Sequence, residues 1–283
     1  MTGVLVTGAA GQLGSTVVRR LAERGARVVA ADRDEVDLTD PRRTRELVAA
    51  ARPEVVINCA AYNDVDGAEE RAEEAFAVNA FAVRVLARAA GEAGAVLVHY
   101  GTDFVFDGTA SAPYTETDRP APQSVYAQSK LVGEWFAAGA ARHYVLRVES
   151  LFGGAAAKSS IDRIIEALRQ GRPARVFSDR VVSPSYVEDV AAATEALLAR
   201  AAPFGLYHCV NGGHATWLDV GREIAGLLGA PESLLQPVAV ASVPLRAKRP
   251  AFAALSNEKL RRLGIEMPPW QDAVRRHVAR TAR

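Results

Sequence analysis

Three evenly spaced glycines at the end of an apolar run constrain this chain more than any other feature. Residues Val4–Gly14 read VLVTGAAGQLG, with Gly8, Gly11 and Gly14 in a G-x-x-G-x-x-G spacing between a strand-like VLV and a helical pattern starting at Gln12. Glycines at such a turn let the backbone bend tightly and approach a pyrophosphate, whose charge then rests on the N-terminus of the following helix. Between the first strand and helix of a βαβ unit this is a dinucleotide signature. It makes Gly8, Gly11, Gln12, Leu13 and Gly14 candidate cofactor contacts.

The first 150 residues keep that rhythm. Gly3–Thr7, Arg27–Ala31, Val55–Cys59, Val96–Tyr100 and Tyr144–Val148 are short, nearly continuous apolar runs, as expected of strands buried on both faces of a parallel sheet. Helical patterns fill the gaps at Gln12–Arg24, Pro41–Ala51, Ala68–Ala93 and Val125–Gly139. Asp40 is a natural N-cap for the second, with Pro41 at its first position. The alternation predicts an α/β fold with a doubly wound parallel sheet. Past residue 150 the rhythm loosens. A small-residue loop at Gly153–Ser160 leads to a helix over Ile161–Gln170, a strand over Ala174–Phe177 and a turn into another helix. A strand over Leu206–Val210 follows, then helices over Thr216–Leu228, Asn257–Leu263 and beyond Pro268. We therefore expect a cofactor-binding domain over residues 1–150 and a smaller α/β substrate lobe over 151–283, with the chain crossing between them.

Composition narrows the partners. Of 283 residues, 34 are Lys or Arg and 33 Asp or Glu, for a net charge of +1. So even a balance provides no global basic field for nucleic acid or an anionic membrane surface. No run of 18 apolar residues is present, and the first ten residues carry no positive leader, so a cytoplasmic location is expected. Cys59 and Cys209 lie in apolar runs and read as small buried hydrophobes.

Two further segments carry chemistry. At the end of the second strand, Asp32 suits the adenosine ribose hydroxyls of NADH, whereas Arg33 suits the 2′-phosphate of NADPH, which leaves both cofactors open. In QSVYAQSKLVGE, Tyr126 and Lys130 are four residues apart and share one helical face. A tyrosine that exchanges protons near neutrality needs a neighbouring cation to stabilise its phenolate, and Lys130 is placed to supply it. Thr102 follows the fourth strand, at the end of a parallel sheet where ligands bind, and can polarise a carbonyl.

With these residues in place the chain resembles the extended short-chain dehydrogenase/reductases, and more narrowly the dTDP-4-dehydrorhamnose reductase family. The resemblance runs nearly end to end, through TGAAGQLG, VVINCAAYNDVDGAEE, VNA, TDFVFDG, YAQSK, GLYHCVNGGHATWLDVGREIA and RPAFAALSNEKLRRLGIEMPPWQDAVRR. It implies a Rossmann-type domain, a nucleotide-sugar lobe and reduction of the 4-keto group of a dTDP-linked deoxysugar by NADPH or NADH. Tyr126 would be the proton donor, supported by Lys130, with Thr102 on the carbonyl. It also implies that Ala60, Ala61 and Tyr62 line the nicotinamide side, that Asp37 and Leu38 lie near the adenine, and that Asn79 contacts the cofactor. Asp103, Phe104 and Ser150 would join Thr102 and Tyr126 at the substrate, and a homodimer is possible. An epimerase and a non-catalytic regulatory subunit are the competing readings. The T-D-E of dehydratases is absent, since Phe104 follows Asp103.

The chain also departs from the family pattern. Its R-T-S-W-like run is Arg147, Val148, Glu149 and Ser150 here, with Ser150 at the tryptophan position. Ala253 replaces a serine, and Gly101 a Ser or Thr. His99 reads as a hydrogen-bonded core histidine, and His208 and His214 have no partners at metal-ligand spacing. Asp64–Glu74 reads as a solvated helix start.

Overall fold

A computed structural model describes residues 3–154 and 158–281; residues 155–157, within the loop expected at Gly153–Ser160, lie outside the described residues. Strands β1 (Gly3–Thr7), β2 (Arg27–Ala31), β3 (Val55–Asn58), β4 (Val96–Thr102) and β5 (His143–Val148) form a parallel sheet with β10 (Gly205–His208), in the order β10-β5-β4-β3-β1-β2. The chain moves outward from β1 to β2 and then returns to the other side of β1. The crevice between β1 and β3 is thus the switch point where such sheets bind ligands.

The continuous apolar runs have the burial that justifies them: every residue of β1, β3 and β4 is buried. Alternate residues serve opposite faces. Val4, Val6, Ile57, Val98 and Leu146 pack on α1 (Gln12–Glu23) and α7 (Val187–Ala199). Leu5, Val56, Leu97 and Val145 pack on α2 (Pro41–Ala51) and α4 (Ala82–Glu92). Asp40 caps α2 as expected, accepting from the Arg42 and Arg43 amides at 2.8 and 3.2 Å.

A second core lies beyond residue 150. It joins α6 (Ser160–Arg169), α8 (Trp217–Leu228) and α10 (Trp270–Thr281) to the parallel pair β7 (Ala174–Phe177) and β12 (Leu235–Val238). Short pairs link β6 (Leu151–Phe152) with β9 (Ser185–Tyr186), and β8 (Val181–Val182) with β11 (Ala215–Thr216). Both α7 and β10 return to the main sheet, and α9 (Glu258–Arg262) lies beside β10.

Three expectations are corrected. The single helix expected over Ala68–Ala93 is broken into a 3-10 turn at Gly67–Glu69, α3 (Ala72–Phe76), a π-helical turn at Ala77–Phe81 and α4. Arg71, at φ −119° and ψ 53°, stands outside helical geometry and separates the first two. The strand expected over Leu206–Val210 spans Gly205–His208, and β4 runs on to Thr102. The acidic stretch Asp64–Glu74 is not simply solvated. Asp66 accepts from the Arg246 and Ala247 amides at 3.1 and 2.9 Å and pairs with Arg249 at 2.8 Å, tying the segment before Pro250 to the sheet domain.

Candidate active site

The glycine loop is built around a close approach. Gly8 has φ +66°, and a Cβ there would lie 2.5 Å from the Ala60 nitrogen; a Cβ on Gly14 would lie 2.1 Å from the Gly8 carbonyl oxygen. The side-chain-free backbone between β1, β3 and α1 is therefore obligatory. Asp32 accepts from the Ala10 amide at 2.7 Å and so ties the loop to the end of β2. Replacing Gly8 with alanine should cost about 2 kcal/mol or more through left-handed strain and clash. The expected result is a lowered melting temperature and weaker dinucleotide binding by fluorescence titration.

From this loop a groove of about 680 Å³ runs past Gly8, Gly11, Asp32, Arg33, Asp37 and Leu38 to Ala60, Ala61 and Tyr62. A second hollow of about 320 Å³ shares Gly11, Ala60 and Ala61 with it and continues past Gln12 and Leu13 to Thr102, Asp103, Phe104, Tyr126, Lys130 and Ser150. One trough thus joins nearly all the residues singled out in the sequence. Asn79 stands apart: its amide donates to the Tyr62 carbonyl at 3.1 Å and accepts from the Tyr62 amide at 2.8 Å, so it shapes the wall from behind. Gly14 likewise acts through the loop's packing.

Tyr126 and Lys130 lie on α5 (Val125–Ala138), capped by the Ser124 hydroxyl, and both are buried. Lys130 Nζ donates to the Tyr100 carbonyl at 2.6 Å. Burial lowers its ammonium to about 8, against the opposing pull of Glu134 and Cys59. Burial raises the Tyr126 phenol above its usual range and the Asp103 carboxylate adds to this, while the neighbouring Thr102 hydroxyl favours the phenolate. Phe104 packs edge-on against Tyr126, ring centroids 5.6 Å apart.

Beneath these lies a set of charges of which the sequence singles out only Asp103. Glu134 and Arg147 form a buried bidentate pair, with contacts of 3.1, 3.1 and 2.8 Å. A Cβ at position 101 would sit 2.2 Å from Glu134 Oε1, which accounts for Gly101 in β4. Asp103, Glu149 and Arg180 form a second buried cluster. Arg180 Nη2 is 3.9 Å from Asp103 Oδ2 and its guanidinium lies 5.3 Å from the Phe104 ring centre, while the Ser183 amide donates to Glu149 at 2.6 Å. Among the described residues, Asp103 Oδ2 and Glu149 Oε1 have no hydrogen-bond partner. Burial raises the Asp103 carboxyl to about 6 despite Arg180, and raises Glu149 well above its ordinary range with help from the Asp103 charge. Of these charges only Asp103 is expected at the site from the sequence, through the family resemblance; Glu134, Arg147, Glu149 and Arg180 carry no such signal.

Of the remaining candidates, His99 is fully buried with Nδ1 3.1 Å from the Asn58 amide nitrogen. Among the described residues no group of three or more His, Cys, Asp or Glu could hold a metal ion. Among the same residues no helix is long and apolar enough to cross a membrane.

A family model described as the RmlD substrate binding domain matches residues 1–283. The chain belongs to that family. A dTDP-4-dehydrorhamnose reductase from Burkholderia thailandensis is 37% identical over 287 residues, covering 96% of each chain. A probable dTDP-4,6-dihydroxy-2-methyloxan-3-one 4-ketoreductase from Streptomyces antibioticus is also 37% identical, covering 96% of this chain and 92% of its own. Among solved structures, a dTDP-4-dehydrorhamnose reductase from Bacillus anthracis in complex with NADP superposes with a TM-score of 0.93 at 29% identity, covering 99% of this chain and 100% of the other.

Within this RmlD-family fold, Ser150 adopts φ +45° and lines the same hollow as Thr102, Tyr126 and Lys130. Ala253 is fully buried, its amide held by the Val181 carbonyl at 2.9 Å.

Proposed function

We propose that this protein is an NADPH- or NADH-dependent reductase that reduces the 4-keto group of a nucleotide-linked deoxysugar, with a dTDP-linked sugar the expected substrate. The observation that carries this reading is the single trough from the Gly8–Gly14 loop to Tyr126, Lys130 and Thr102. The cradle fits a dinucleotide: Gly8 and Gly14 leave backbone where a Cβ would intrude, and the N-terminus of α1 faces it. Gly11, Gln12, Asp32, Arg33, Asp37, Leu38 and the Ala60–Tyr62 wall would hold the cofactor, which when bound supplies hydride to the ketone carbon.

The chain's own residues handle the proton and the orientation. Thr102 directs the ketone oxygen, Tyr126 gives its phenolic proton to the alkoxide, and the Lys130 ammonium stabilises the phenolate left behind. Asp103, Phe104 and Ser150 line the sugar side, and the lobe spanning mainly residues 151–283 takes the nucleotide. In this reading the enzyme works in the cytoplasm, and a homodimer is an acceptable state.

Net oxidation of NADPH and NADH against a panel of nucleotide 4-ketosugars tests the proposal. A reductase consumes cofactor in proportion to ketosugar, whereas an epimerase regenerates it within each turnover. Tight cofactor retention without consumption on any ketosugar would favour a regulatory subunit.

A further inference from the structure

Asp66 lies outside the trough, yet it gathers a distant stretch of chain onto one carboxylate. Its Oδ1 accepts from the Arg246 and Ala247 amides at 3.1 and 2.9 Å and from Arg249 Nη1 at 3.0 Å, while Oδ2 accepts from Arg249 Nη2 at 2.8 Å. The preceding residue, Val65, lines the catalytic hollow. The donors belong to the segment that leaves β12 for Pro250, and that segment has little else to hold it. After a 3-10 turn at Val240–Ser242, residues 243–249 form no helix or strand, and Ala247 alone among them is buried. None of residues 239–250 joins the cores of the sheet or the lobe. At the lobe end the Val240 amide donates to Asp179 at 2.9 and 3.1 Å. At the other end Pro250 packs so closely on Gly108 that a Cβ there would come within 2.6 Å of it.

Arg180 gives this segment its bearing on the site. Its Nε donates to the Pro250 carbonyl at 3.3 Å, and its guanidinium lies 5.3 Å from the ring centre of Phe104 in the wall of the hollow. Arg180 also lines a cavity of about 460 Å³ in the lobe, beside Arg163, Phe177 and Trp217. It thus stands between hollow and cavity, and the segment crosses beside it. We propose that residues 239–250 are a strap that closes where the hollow meets the lobe cavity, and that Asp66 is the positioning residue that latches it on a bound nucleotide sugar. This rests on the reading of those two spaces as the nucleotide-sugar site.

The latch is concentrated in one group. A bidentate guanidinium–carboxylate pair is among the stronger hydrogen-bonded contacts, and Asp66 adds two backbone amides to it. The other ties, Arg246 to Glu70 and Lys248 Nζ to Gln123 at 3.2 Å, are exposed and hold weakly. A segment with few buried contacts opens at low cost, so loss of Asp66 frees the strap while both cores stay folded. Asp66→Ala should raise the KM for the nucleotide sugar about tenfold, the scale of losing hydrogen bonds to a charged group. The larger share of the loss should fall on KM rather than kcat. Asp66→Glu, which keeps the charge, should recover part of it. NADPH affinity, set at the glycine loop, should move less than nucleotide-sugar affinity.

Limited trypsin digestion reads the latch without catalysis, since Arg246 and Lys248 offer cleavable bonds within the strap. Asp66→Ala should be cut there about tenfold faster than wild type, because cutting follows the population of the open form. In wild type, dTDP-glucose should slow the same cuts. Equal cutting rates in the two proteins, or a kcat loss as large as the KM loss, would overturn the latch. Cutting that ignores dTDP-glucose, in wild-type protein that binds it by calorimetry, would overturn closure on the ligand. Failure to bind dTDP-glucose would instead remove the reading of the site, and the ligand-free digestion would still decide the latch. The wild-type protection experiment needs no variant, so the proposal stays open to refutation if Asp66→Ala does not fold.

Discussion

Tyr126→Phe should lower kcat by about three orders of magnitude, the middle of the range that a positioned proton donor contributes. NADPH affinity should change little. The substitution removes one oxygen from a ring that keeps its contact with Phe104, so the wall of the hollow stays in place. Fluorescence titration with NADPH should give a dissociation constant within a few fold of wild type, and turnover close to wild type would exclude Tyr126 as donor. The pH dependence has a definite sign. In the cofactor-free protein Lys130 is charged below about 8 and loses its charge as pH rises through that value. Support for the Tyr126 phenolate is thus present at neutral pH and weakens in alkali.

Arg147→Met should cost about 3–5 kcal/mol of stability, because it leaves the Glu134 carboxylate buried without its cation. Side-chain exposures of 3% and 5% put this pair in the interior, where a lone charge is far more costly than at the surface. Pairing the substitution with Glu134→Leu should restore most of the loss, since two apolar side chains then replace two charges. Urea unfolding of the single and double variants measures both. A single variant within 1 kcal/mol of wild type, on the scale of exposed pairs, would show that the pair contributes little.

The parts of the fold and site that were legible in the sequence are local in character. The β1–loop–α1 unit could be read because glycine spacing and a buried apolar run are properties of twelve consecutive residues. Tyr126 and Lys130 could be paired because helical periodicity alone puts them on one face. The expected helix over Ala68–Ala93 failed for a related reason. Its composition is helical throughout, and the break at Arg71 and the π-helical turn come from packing against α5 and from the tie between Arg71 and Asp64 at 3.0 Å. Asp66 reads as a surface acid in sequence. Its role depends on Arg249, 183 residues away.

The sequence by itself determined the parallel sheet, the glycine turn and the pairing of Tyr126 with Lys130 on one face of α5, because backbone conformation and side-chain periodicity are set over short stretches of chain. Only the tertiary structure decided which charges lose water together. Asp103, Glu149 and Arg180 come from three separate segments, as do Glu134 and Arg147 from two, and each has a bland reading in its own segment. Burial changes that. In water a carboxylate is indifferent to such neighbours, but at 2% exposure Asp103 and Glu149 respond to every charge and hydroxyl around them.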